Sequence, residues 1–152
     1  MERMIVSNAI LLGETKRLLK EGKKVTIKVK GNSMLPFLHG DRDSVELIPT
    51  ENYQHGDIAL AEVKEDHYVL HRILSMDGNE PEAKVILMGD GNIKGVEKCK
   101  VKDLIGKVEC IYKKNKQIDP NTDEERKKAE IWLRLRPIRR WILAIYKRVY
   151  RL

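Results

Sequence analysis

The sequence predicts a mainly β protein: a coiled antiparallel β-sheet domain with a helix before it and a basic amphipathic helix after it. Three observations carry that expectation. From Lys23 the apolar residues alternate with polar ones at a period of two, as a half-buried strand requires. Short candidate strands then follow one another, separated by Gly-, Asp- and Asn-rich turns and with no helical stretch between them, which is the pattern of an all-β domain and not of alternating βαβ units. At both ends of the chain the apolar spacing returns to that of a helix.

Taken in order, residues 7–22 read as a helix. Ser7 is its cap, Ile10, Leu11, Leu18 and Leu19 lie on its apolar stripe, and Gly22 ends it. The first strand, "KVTIKVK", sets Val25, Ile27 and Val29 against Thr26, Lys28 and Lys30. Further strands are expected at 44–48, 57–63, 68–74, 84–88 and 104–112. Residues 113–121 form a polar connector with Pro120. Thr122 and Glu125 are spaced as a capping box, so a helix should run from about Asp123 to the end, kinked or broken near Pro137. The expected organisation is therefore an N-terminal helix (1–22), a β-rich domain (23–112), the connector (113–121) and a basic helical tail (122–152).

The charge is divided the same way. The net charge is +7, yet residues 113–152 hold 13 Lys and Arg against 5 Asp and Glu, while the first 112 residues hold 17 against 18. A body without basic excess argues against nucleic acid as its partner. Cys99 and Cys110 fit no zinc or CxxC spacing, and nothing else reads as a metal or cofactor motif, so no cofactor is expected. Two thiols point to a reducing compartment. No segment approaches the ~20 apolar residues of a membrane span, and the four-residue apolar run Ala9–Leu12 is too short for a signal peptide. The expected location is the cytoplasm.

The stretch "KGNSMLPFLHGD", residues 30–41, follows the first strand. A turn there accounts for its Gly and Pro; it does not account for a serine beside a methionine at the tip. Gly31, Ser33, Met34 and Pro36, then Gly40-Asp41, resemble the active-site box of the signal peptidase I family and of its relatives, the self-cleaving SOS-response repressors, where a strand ends in G-x-S-M-x-P and GD follows. Four more boxes follow in the order of that clan. These are Gly56-Asp57 opening a strand, His71-Arg72 in "YVLHRIL", Gly89-Asp90 with Asn92, and Gly106-Lys107-Val108. The His-Arg pair is similar to the archaeal and endoplasmic-reticulum type, which uses histidine where bacterial signal peptidases use lysine.

The resemblance implies the coiled β fold of that clan and a serine endopeptidase, acting on an exposed peptide or leader segment through Ser33 and His71. The chemistry is consistent. A serine hydroxyl attacks an amide only if a base takes its proton, and an imidazole with an ordinary pKa near 6.5 can do so. On its strand His71 shares a face with Val69 and Ile73, whose bulk would desolvate it and keep it neutral. Backbone N–H groups around Asn32 and Ser33 would meet the oxyanion. Gly31 would let a substrate strand approach, and Pro36 would stiffen the turn.

The orienting acid stays open. The family places an aspartate six residues after the GD aspartate; here that position is Val96, leaving Asp90 itself, Glu97 one residue further on, or none. If no acid serves, a weak or inactive peptide-binding module of the same fold is the alternative. Asp41 and Asp57 are expected to serve their turns, and His39, His55 and His67 to lie at the surface.

Signal peptidases carry a transmembrane helix before the serine, where this chain has a polar helix. Its tail instead mixes Trp132, Trp141, Tyr146 and Tyr150 with arginines. Two readings of the tail stand side by side: an interfacial helix on an anionic membrane surface, or a helix packing Trp141, Ile142, Ile145 and Val149 on its own domain.

Overall fold

The structure, a computed structural model, describes residues 8–152, with side chains from Ile10 onward. The expected cap Ser7 lies outside the described residues. Helix α1 (Asn8–Lys20) ends at Gly22, whose φ of +83° is the left-handed conformation glycine adopts without strain. Its buried face is Leu12, Thr15 and Leu19, whereas Ile10 and Leu11 are exposed. The stripe is thus rotated from the expected one because Thr15 turns inward, its hydroxyl donating to Leu11 O (2.9 Å).

Eight strands form one antiparallel sheet: β1 (Val25–Lys28), β2 (Ser44–Ile48), β3 (Ile58–Lys64), β4 (His67–Met76), β5 (Lys84–Met88), β6 (Glu97–Lys100), β7 (Leu104–Lys113) and β8 (Lys116–Ile118). Their order is β1-β2-β7-β3-β4-β5-β6. Strand β7 ties the sheet together. Along one edge it pairs with β2; on the other its first half pairs with β3 and its last residues with β8. Register slips between Glu46 and Leu47, Leu60 and Ala61, and Ile73 and Ser75 bend the strands and coil the sheet.

Two strands escape the alternation test. In β6, "EKCK", the half-buried residues are Glu97 and Cys99, so the inward face carries no aliphatic side chain to read. The lysines that obscure it are the usual protection of an edge strand. Strand β8 falls in the polar stretch expected to connect. It is the return arm of a tight hairpin, with Lys113 opposite Lys116 and Ile111 opposite Ile118.

The sheet buries two apolar layers. One holds Leu12 and Leu19 of α1 with Ile27, Leu47, Leu60, Val108 and Met34. The other holds Ala59, Ala61, Ile73, Val85 and Leu87. Each Leu, Ile, Val or Met side chain withdrawn this fully contributes roughly 1.5–3 kcal/mol before entropy is counted.

The tail forms two helices, α2 (Asp123–Arg134) and α3 (Arg139–Tyr150), joined by a 3₁₀ turn, Arg136–Ile138, that contains Pro137. The Thr122 hydroxyl accepts from Glu125 N–H (3.3 Å), as the cap spacing required. Trp132 and Leu143 pack with Leu35 in a third cluster, joined by Phe37, Leu135, Ile142 and Tyr146. The packing face is not the expected one. Of Trp141, Ile142, Ile145 and Val149 only Ile142 turns inward, and among the tail arginines Arg139 is buried.

No helix among the described residues is long and apolar enough to cross a membrane.

Candidate active site

The Ser33 turn leaves β1 and folds back against the Gly89–Asn92 turn that follows β5. Gly91 N–H donates to Ser33 O (2.8 Å). The approach is so close that a Cβ on Gly91 would lie 2.4 Å from Asn32 O, and one on Gly89 would lie 2.3 Å from Ser33 O and 3.1 Å from His71 Nε2. Glycine at both positions is therefore the condition for the serine turn and the histidine strand to meet. Gly31 adopts φ +72°, and the Leu35–Pro36 bond is cis.

Ser33 and His71 line one cavity of about 150 Å³ together with Leu12, Val29, Leu60 and Leu70. The cavity runs between Ile27–Lys30 and Tyr68–His71. Among the described residues β1 is paired on one edge only, with β2, and β5 pairs with β4 from Arg72 onward, leaving the β4 edge at Tyr68–His71 open. Open backbone edges on both walls can each accept an extended chain.

His71 is 7 % exposed. Burial holds its pKa below the usual 6.5, opposed by the weaker fields of Glu97 and then Asp90. The ring is therefore neutral near pH 7. Nε2 faces the Ser33 turn, and Nδ1 is buried without a hydrogen-bond partner. The Ser33 hydroxyl makes no hydrogen bond among the described residues, to His71 or to any other group. The N–H groups of Asn32, Ser33 and Met34 likewise donate to no protein acceptor among the described residues, so the turn offers three unpaired backbone donors.

Asp90 spends both carboxylate oxygens on Arg72, which donates from Nε to Oδ1 (2.8 Å) and from Nη2 to Oδ2 (2.7 Å). This buried bidentate pair leaves Asp90 bracing its turn, with no hydrogen bond to His71. Arg72 also donates to Gly56 O (2.9 Å) and lies 4.9 Å from the Phe37 ring centre. Glu97, at the start of β6 opposite Leu87, is the acid whose charge acts more strongly on His71, again without a hydrogen bond to it. Met34 is 1 % exposed and plugs the core beneath the turn, its Sδ accepting from Asp90 N–H (3.4 Å). Asn32 is exposed and Pro36 half-buried.

Two supporting residues escape sequence reasoning. Trp132 Nε1 donates to Asp90 O (2.8 Å), Arg139 Nη1 donates to Asn92 O (3.0 Å), and the Arg139 guanidinium lies 5.1 Å from the Trp132 ring centre. Both tail helices thus clamp the turn that carries the Ser33 loop. Nothing in the spacing "WLRLRPIR" distinguishes Arg139 from its neighbours; only the fold does.

Asp57 is a buried carboxylate fixed by Arg126 (2.8 Å) and Gln54 N–H (2.9 Å). Asp41 is exposed beside Lys30 (3.2 Å). His55 and His67 are at the surface. His39 is not: it is 7 % exposed, bonded to the Tyr146 hydroxyl and edge-on to Tyr150, because α3 covers the turn that holds it. No group of three or more His, Cys, Asp or Glu among the described residues is placed to hold a metal ion. No family model matches the chain, and no curated protein matches it.

Proposed function

We propose that the chain is a serine endopeptidase of the signal-peptidase and SOS-repressor clan, with Ser33 as nucleophile and His71 as general base. The observation that carries the reading is the meeting of a partly exposed serine hydroxyl, free backbone N–H groups and a desolvated, neutral imidazole at one cavity between two open strand edges. Two strand edges facing one cleft suit a substrate bound in extended form. The substrate class is an exposed peptide segment, such as the leader of a small exported or modified peptide, met in the cytoplasm or at the membrane's cytoplasmic face.

In the reaction, Ser33 Oγ forms a bond to the scissile carbonyl carbon as its proton passes to His71 Nε2. The free N–H groups of the turn stabilise the resulting oxyanion. The imidazolium then gives that proton to the leaving nitrogen as the C–N bond breaks. Water, deprotonated by the same nitrogen, releases the acyl group and restores Ser33. Ser33 rotating toward Nε2 on substrate binding would close the hydroxyl–imidazole contact, which is often loose in free enzymes. Glu97 is the acid positioned by its field to stabilise the imidazolium.

A non-catalytic module that accepts a peptide strand at the same edges is the second reading. The partnerless Nδ1 and the absent Ser33–His71 bond favour it. A serine-reactive phosphonate separates the two. Under the peptidase reading, mass mapping of the folded protein finds the adduct on Ser33, and both His71→Ala and prior unfolding abolish it. A folded, unlabelled protein selects the module.

A further inference from the structure

The outer face of α3 carries an exposed apolar stripe. Trp141, Ile145 and Val149 are 65 %, 66 % and 68 % exposed, and Ile138 before them and Leu152 after them are also about half exposed. The spacing of four residues places Trp141, Ile145 and Val149 within about a quarter of a turn on α3 at 3.6 residues per turn, with Ile138 and Leu152 just beyond its two ends. The stripe is no misplaced core, since the same helix buries Leu143 and Arg139 on its inner side and sets Tyr146 against His39. Five large apolar side chains aligned in water mark a surface that has a partner.

The charges around the stripe identify the partner. From residue 131 to residue 152 there are seven Lys and Arg and no Asp or Glu. Arg139 is committed inward; Arg134, Arg136, Arg140, Lys147, Arg148 and Arg151 remain toward the surface. By the same helical spacing Arg148 borders the stripe on its outer side, Arg140 and Lys147 lie across the helix from it, and Arg151 follows the helix end.

We infer that this face docks on an anionic lipid surface. The stripe enters the boundary between headgroups and acyl chains, and Arg148 beside it, with the long side chains of the other surface cations of the tail, meets lipid phosphates. A second copy fits poorly, because it would bring two acid-free faces together. Nucleic acid would engage the cations but leave Trp141, Ile145 and Val149 unrewarded against phosphates. The inner face stays on the body, so docking and the clamp on the Gly89–Asn92 turn are compatible. The inference is independent of the chemistry assigned to Ser33.

Flotation of the full chain with phosphatidylcholine vesicles, with and without phosphatidylglycerol, tests it. The protein should float with the anionic vesicles at low salt and be released as salt shortens the Debye length from ~30 Å toward ~3 Å. The triple variant Trp141→Ser, Ile145→Ser, Val149→Ser should lose roughly a hundredfold in partitioning, about a factor of five per large side chain returned to water, at the lower end for half-inserted residues. Its circular dichroism should not change. The charge variant Arg140→Gln, Arg148→Gln, Arg151→Gln alters only exposed residues and should also lose binding.

The proposal is overturned if the full chain ignores anionic vesicles at low salt, or if the triple variant binds them as the parent does. It is also overturned if sedimentation shows a dimer that the triple variant abolishes while neither protein floats, or if duplex DNA is bound through the cations alone and vesicles are not.

Discussion

Replacing Asp90 by asparagine distinguishes a brace from a catalytic acid. Asp90 and Arg72 are 1 % and 3 % exposed, joined by two bonds of 2.8 and 2.7 Å. Asparagine keeps one acceptor oxygen but turns an NH2 donor toward the guanidinium and removes the charge, leaving Arg72 without an anionic partner beside the Gly56 carbonyl and the Phe37 ring. Removing one partner of such a buried pair costs about 3–5 kcal/mol, because the other charge is left unpaired. At about 2–4 °C per kcal/mol for a chain of this length, the melting temperature should fall by roughly 6–20 °C. Thermal unfolding of Asp90→Asn at neutral pH measures this. The double variant Arg72→Met, Asp90→Leu should recover much of the loss, since an apolar pair of similar volume is often neutral or better. A double-mutant cycle should then return a coupling of several kcal/mol. A drop of less than about 2 °C, no more than the effect of 1 kcal/mol, combined with lost activity, would refute the brace and restore Asp90 to the chemistry.

The remaining expectations concern the site and its supports. His71 has a folded-state pKa below its ordinary 6.5, through burial, so it binds fewer protons folded than unfolded. Its contribution to stability is therefore complete above pH 6.5 and is lost as pH falls below it. His39 is lowered for the same reason and adds to the same acid loss. Peptidase rate should rise through that range and be flat above pH 7; a limb displaced to alkaline pH would point to a lysine base instead. Gly91→Ala places a methyl 2.4 Å from Asn32 O, so phosphonate labelling of Ser33 should fall at least tenfold, a loss of about 1.4 kcal/mol in barrier terms. Unchanged labelling would mean the two turns do not need their contact. Ending the chain at Asp119 removes the Trp132 and Arg139 bonds and uncovers Leu35. Labelling and melting temperature should both drop, and a shortened chain as reactive as the full one would exclude any role for the tail in holding the site.

The sheet was legible wherever one face is aliphatic. Strands β2 and β5 occupy the expected 44–48 and 84–88, because Val45, Leu47, Val85 and Leu87 alternate with half-exposed or polar neighbours. Strand β6 was illegible because its inward residues are Glu97 and Cys99, and β8 because three residues are too few for a period. At the site, the pairing of Ser33 with His71 in one cavity rested on local motifs that a sequence displays. The partner of Asp90 did not: Arg72 reaches it because the β4–β5 register sets Arg72 opposite Met88, two residues before Asp90. Burial of Arg139 and His39 depends on how α3 settles on the body, which composition does not encode. Alternating arginines and aromatics supply several apolar faces, and tertiary contacts choose among them.

The clamp exerted by α2 and α3 also sets a schedule. A ribosome adding about 5–20 residues per second reaches Trp132 and Arg139 only after all eight strands have been made. The sheet can therefore close while the Gly89–Asn92 turn still lacks both of its outer bonds. In such a stage the strands can pair while the site is unbraced. Under the peptidase reading, competence would then come only with the docking of the tail, the final assembly step.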